Sequence, residues 1–151
     1  MTRGEKAAQF FLQGYNCSQS VCLAFQDLTG MDESMLLRLS SSFGGGMGRM
    51  REVCGSVSGM LMVAGLLYGY DDPKGHSAKT THYARVRALA DEFRAKNGSI
   101  VCRELLQNCK TTPGGVPEQR TQTYYQTRPC VRMVTDAANT LERYIQENPI
   151  L

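Results

Sequence analysis

Apolar positions along this chain recur at helical spacing and almost nowhere with the two-residue alternation of a strand. Ala7, Ala8, Phe11 and Leu12 mark one face of a first helix, which Gly14 stops. Asn16 and Gln19 form a capping-box pair at the start of a second. Its stripe is Val21, Ala24, Phe25 and Leu28, and Gly30 ends it. Asp32 caps a third helix, carrying Met35, Leu36 and Leu39, which breaks at Gly44.

Val53 to Tyr70 carries no charge, and glycines recur in it at four-residue intervals, Gly55 with Gly59 and Gly65 with Gly69. The run is only just long enough to cross a membrane. It is single, contains Ser56 and Ser58, and lies between amphipathic helices, so it reads as a central buried helix whose small residues let neighbours approach closely. A fifth helix runs from about Ser77 to Asn97, with Val86, Leu89, Ala90 and Phe93 inward and Gly98 as its stop. Ser99 is expected to cap a short sixth helix reaching Leu106. Lys110 to Arg128 is polar, holds Pro113, Gly114, Gly115 and Pro117, and predicts no element; long loops of this kind in compact domains are often functional. Pro129 suits the first position of a last helix with Val131, Val134, Ala138, Leu141 and Ile145 on its apolar side. The expectation is an all-α fold: one domain over residues 1–151, with six or seven helices around the central Gly-containing one.

A chain of 151 residues can bury a core that needs no disulfide staple. Its formal net charge of +3, with Lys and Arg scattered, argues against nucleic acid as a partner. The first residues hold Arg3, Glu5 and Lys6 before a short Phe10-Phe11-Leu12 patch, unlike a signal peptide, so the expected compartment is the cytoplasm. Thiols there stay reduced, and six cysteines then read as reactive or metal-binding rather than structural.

Cys17, Cys54, Cys102 and Cys130 each fall where a helix should begin. Free N–H groups and partial positive charge at such a terminus favour a thiolate. No CxxC pair occurs, so thioredoxin-like and zinc-ribbon spacings are absent. Cys17 and Cys22 point to different sides of one helix. Cys102 and Cys109 stand about 10 Å apart along another, beyond the reach of about 7 Å that a disulfide allows. Any pairing must therefore join distant segments. Cys22, between Val21 and Leu23, reads as a core residue, and Cys109 lies near the loop. The run Gly44 to Gly48 precedes Arg49 and Arg51; it matches neither a P-loop nor a dinucleotide fingerprint. Gly45, Gly46, Gly48 and Arg49 are candidates for holding an anion, against the plainer reading of a tight turn that lets helices pass closely. His76 and His82 read as ordinary polar residues at the start of the fifth helix.

These residues together resemble a family described as redox-active and known by a C-GCAxxG-C-C pattern. Cys17 within Tyr15-Asn16-Cys17-Ser18 matches its first cysteine, and Cys54-Gly55-Ser56-Val57-Ser58-Gly59 matches its motif, with Ser56 in place of alanine. Cys102 and Cys130 match the third and fourth. The likeness spans about residues 6 to 146 and implies a redox role for these four cysteines. They are expected to converge at the N-terminal end of the central helix. In the leading reading they carry out thiol–disulfide exchange or electron transfer: one low-pKa thiolate attacks, another resolves, Cys54 takes a central part, and a mobile Lys110–Arg128 loop lets Cys130 approach or leave. A second reading has the same four cysteines ligating zinc or an iron–sulfur cluster. A third is a non-catalytic helical interaction module. The redox reading implies a redox partner protein or a small thiol, and leaves room for a homo-oligomer.

Overall fold

Thr2 opens the first helix, α1 (Arg3–Leu12), with a full capping box to Glu5. The computed structural model describes residues 1–150. The Asn16–Gln19 box opens α2 (Cys17–Leu23), and Asp32 accepts from the Met35 N–H to open α4 (Glu33–Ser40). Between them lies α3 (Gln26–Thr29), ended by Gly30 in the left-handed region. The stripe expected to form one helix is thus split at Phe25, which is wholly buried where the chain bends. A 3₁₀ turn over Ser41–Phe43 follows α4.

The central helix is α5 (Gly55–Tyr68), shorter at both ends than its uncharged run. Val53 instead forms a lone antiparallel bridge to Val101, and Cys54 is the N-cap. α6 (His76–Asn97) ends on Gly98 at φ +87°, as expected. The next helix, α7 (Cys102–Leu105), starts later than predicted: Ser99 accepts from the Val101 N–H, and Val101 takes the cap position. The stretch with no predicted element contains α8 (Gln122–Thr127), capped by Thr121. Pro129 is the N-cap rather than the first residue of α9 (Cys130–Glu147). The described residues therefore form nine helices and no strand, an all-α fold. None of the helices is long and apolar enough to cross a membrane.

α5 is apolar all round and other helices cover most of it, α2 on one side and α6 and α9 on others, while Leu66 near its C-terminal end stays exposed. Val57, Met60, Val63 and Ala64 are fully buried in the core, which α1 and α9 complete with Ala7, Phe11, Val134, Ala137 and Leu141. The first glycine pair does what small residues on a core helix are expected to do. A Cβ on Gly59 would stand 2.7 Å from the Ser18 carbonyl oxygen and 3.2 Å from the Val21 Cβ, so the α2 backbone lies directly on α5. The second pair is different: Gly65 faces open space, and Gly69 is the helix end.

This contrast is testable. Gly59→Ala has no room to be absorbed by a flexible side chain and should cost about 1–3 kcal/mol. Gly65→Ala removes a flexible residue from a helix interior and should gain about 0.5–1 kcal/mol. Urea unfolding of the two variants checks the pair; equal effects would contradict the packing described.

Candidate functional site

Each of the four predicted cysteines stands at a helix start, for a different local reason. Cys17 is the first residue of α2, behind the Asn16 cap. Cys54 caps α5, Cys102 opens α7, and Cys130 opens α9 behind Pro129. The bridge ties two of them together. The Cys54 N–H donates to the Ile100 carbonyl (2.7 Å), and the Cys102 N–H donates to the Glu52 carbonyl (2.6 Å). Each cysteine follows one residue of the bridged pair, so alternation puts both on the same side of this short ladder.

The glycine run makes that pairing possible. Gly45, Gly46, Met47, Gly48, Arg49 and Arg51 all have φ between +58° and +73°. A left-handed stretch is costly for residues with a Cβ, about 1–2 kcal/mol each, and here Met47, Arg49 and Arg51 bear it. The N–H groups of Gly48, Arg49, Arg51 and Glu52 turn back onto the carbonyls of Gly44, Gly45 and Gly46. Gly46 lies where a Cβ would meet the Cys102 Cβ at 2.7 Å. The run is thus a tight turn that carries the chain past Cys102 into the bridge.

Four cysteines from four distant segments, Cys17, Cys54, Cys102 and Cys130, line one cavity of about 60 Å³. It lies at the N-terminal end of α5, with Gly55 in its wall. A Cβ on Gly55 would collide with the Cys17 sulfur, so glycine there is what admits that sulfur beside Cys54. All six cysteines are free thiols. Cys22 is fully buried away from this cavity, its sulfur 3.7 Å from the Gly59 carbonyl oxygen, and is a core residue. Cys109 is half-buried past the end of α7, with its sulfur 3.6 Å from the Thr127 carbonyl oxygen. Neither histidine lines the cavity; His82 is buried against Arg85 instead.

The electrostatics correct the expectation of low-pKa thiolates. Burial dominates and holds the Cys54 thiol far above its ordinary range; the charge of Cys17 adds to this, while the Ser56 N–H and hydroxyl pull weakly the other way. Burial also pushes Cys130 up to about 12, again reinforced by Cys17, against Arg128 and the Tyr124 hydroxyl. Cys102 is raised by burial too, although the Arg51 guanidinium stands 3.8 Å from its sulfur. Desolvation of a thiolate thus outweighs the helix termini at these three positions. Cys54 is only 3% exposed. Cys17 and Cys130 keep partial contact with solvent.

A family model described as "Putative redox-active protein (C_GCAxxG_C_C)" matches residues 15–144. The chain belongs to this family. No curated protein and no solved structure matches it. The C_GCAxxG_C_C match covers all four cysteines of the cavity and the glycine turn beside them. Among the described residues, no group of three or more His, Cys, Asp or Glu side chains is placed to hold one metal ion.

Around this family core the structure adds residues that the sequence reading passed over. The segment 110–121 is strapped down rather than loose. Arg49 donates to the carbonyls of Thr112 (2.8 Å) and Gly114 (3.1 Å), and also contacts that of Val116. Arg128, only 7% exposed, donates to the Lys110 carbonyl (2.7 Å) and pairs with Glu118. Arg120 donates to the Phe11 and Tyr15 carbonyls, both at 3.0 Å, and lies 4.0 Å from the Phe11 ring centre. Burial pushes the Glu118 carboxyl up, but Arg128, the Thr112 N–H and Arg49 outweigh it and hold the carboxyl below its usual range. Arg49, expected as an anion ligand, is spent on the strap.

The raised thiols link stability to pH. Cys22 and Cys130 move from 9.0 to about 12 on folding, and burial carries Tyr124 from 10.0 to about 12. Their stabilisation is whole below about pH 9 and is withdrawn as pH climbs towards about 12, because the unfolded chain releases these protons first. The urea midpoint of the reduced protein should therefore fall steadily above about pH 9. A flat profile up to pH 11 would mean that these groups are not desolvated.

Proposed function

We propose that the protein carries out thiol–disulfide exchange within its cysteine cavity, with Cys17 as the entry thiol and Cys54 as its first partner. The observation that carries this reading is the gathering of four free cysteines, from four separate segments, around one small cavity of about 60 Å³. Membership of a family described as redox-active supports it.

Exposure supports the order of events. Cys17 keeps solvent contact at the start of α2, whereas Cys54 is enclosed. Exchange needs an accessible sulfur for the incoming disulfide. Cys54, Cys102 and Cys130 are held protonated chiefly by burial, and a negative charge at Cys17 would raise them further. A mixed disulfide leaves no charge on the Cys17 sulfur, so it adds nothing to the burial that a resolving thiol must overcome. Cys54 is next to Gly55, whose missing Cβ leaves space for the Cys17 sulfur, and this contact favours Cys54 as resolver.

The test uses reduced protein and 2-hydroxyethyl disulfide, with products read by intact mass. The wild-type protein should release two molecules of mercaptoethanol for each internal disulfide formed. Cys17→Ser should slow internal disulfide formation about tenfold or more, while Cys54→Ser should accumulate a mixed disulfide on Cys17. Oxidation of the Cys17→Ser protein at the wild-type rate would sink the assignment.

A further inference from the structure

We infer that the cleft over the cysteine cavity is a binding site for small anionic disulfides; this rests on the exchange reading above. The cleft has a volume of about 230 Å³ and lies between the glycine turn and the strap. Asn16, Gly45, Arg51, Arg120, Tyr124 and Arg128 line both the cleft and the cysteine cavity, so the two share a wall. A ligand in the cleft therefore sits one side chain away from the sulfurs.

The charge of the walls selects the ligand. Arg49, Arg51, Arg120 and Arg128 face the cleft, and Glu118 is the only carboxylate among its lining residues. Arg49 and Arg120 are held largely by backbone carbonyls, which fix a guanidinium without cancelling its charge. Glu118 is shared: its carboxylate pairs with Arg128 and stands 3.5 Å from Arg49 and 4.0 Å from Arg51, so one negative charge faces three guanidiniums. Arg51 is left over. Its Nη1 reaches only the Cys102 sulfur, and its Nη2 is buried with no hydrogen-bond partner, 4.0 Å from the nearest Glu118 oxygen. A buried donor on a charged group without a partner is expensive. Nη2 has almost no accessible surface, so an outward turn of the Arg51 guanidinium would present it to an anionic oxygen in the cleft, and a guanidinium takes a carboxylate or sulfonate in paired geometry. The anion site anticipated around Arg49 is thus centred on Arg51. Because the cleft is smaller than the usual site for a drug-sized ligand, the ligand is small.

The reaction balances without another oxidant. Once the shared side chains part to let the ligand's sulfur through, a Cys17 thiolate attacks one sulfur of the disulfide. The ligand's S–S bond breaks, a Cys17–ligand S–S bond forms, and half of the ligand leaves as a thiolate. Cys54, as a thiolate, attacks the Cys17 sulfur, forms the internal disulfide and expels the second half. The cysteine pair loses two electrons, the ligand disulfide gains them, and the two thiol protons pass through solvent to the departing thiolates.

Three disulfides with equal two-carbon arms test this: 3,3′-dithiodipropionate (anionic), 2-hydroxyethyl disulfide (neutral) and cystamine (cationic). Each rate is divided by that disulfide's rate with free mercaptoethanol. The expected order is anionic, neutral, cationic, with the first faster than the second by about tenfold or more at low salt. Arg51→Gln should remove most of that preference and Arg51→Lys should keep most of it. Equal or reversed order in the wild-type protein overturns the inference, as does a preference that Arg51→Gln leaves intact. Titration calorimetry of 3,3′-dithiodipropionate against Cys17→Ser protein reads the cleft without exchange. Heat of binding that Arg51→Gln weakens supports the anion site even if no disulfide is exchanged, and absence of binding overturns it even if exchange occurs.

Discussion

The contact between α2 and α5 is the constraint on which the rest of the structure depends. Two glycines one turn apart, Gly55 and Gly59, strip the α5 surface where α2 crosses it. The Ser18 backbone then rests on Gly59, and the Cys17 sulfur rests on Gly55. A side chain at either place would separate the helices, and with them the first two cysteines. The Val53–Val101 bridge adds Cys102 to that pair, and the close packing of α9 on α1 brings the start of α9, with Cys130, to the same point. The cavity is a product of backbone proximity, with Gly55 and Gly59 where α2 meets α5 and Gly46 where the turn passes Cys102.

Two physical effects compete over the thiols, and their balance gives the site its character. Helix starts favour negative sulfur, and dehydration opposes it. At Cys54, Cys102 and Cys130 dehydration wins. The result is that burial holds these three thiols protonated beside a wall of arginines, with Cys17 and Cys130 in partial contact with solvent and Cys54 and Cys102 enclosed.

Much of this was legible in the sequence because the signals are local. Asn16 with Gln19, Asp32, Gly30 and Gly98 each act within a turn of the helix end they mark, and all are found in those roles. The four helix-start cysteines were legible for the same reason. The left-handed glycine turn was recognisable as a turn, but its hand and its contact with Cys102 depend on a partner more than fifty residues away. The arginine wall was hidden by its own polarity. Arg120 and Arg128 lie in a stretch whose prolines, glycines and charges read as solvent-facing, and only long-range partners such as the Phe11 and Tyr15 carbonyls show them to be built in. The break at Phe25 has no local breaker either; burial of that ring sets it.

The most direct measurement is a disulfide map of the protein after oxidation by a small disulfide, with free thiols alkylated before digestion. The four-cysteine cavity predicts bonds drawn only from Cys17, Cys54, Cys102 and Cys130, including Cys17 with Cys54, while Cys22 and Cys109 carry the alkyl label or remain unmodified. Bonds that recruit Cys22 or Cys109, or no internal bond at all, would contradict the account.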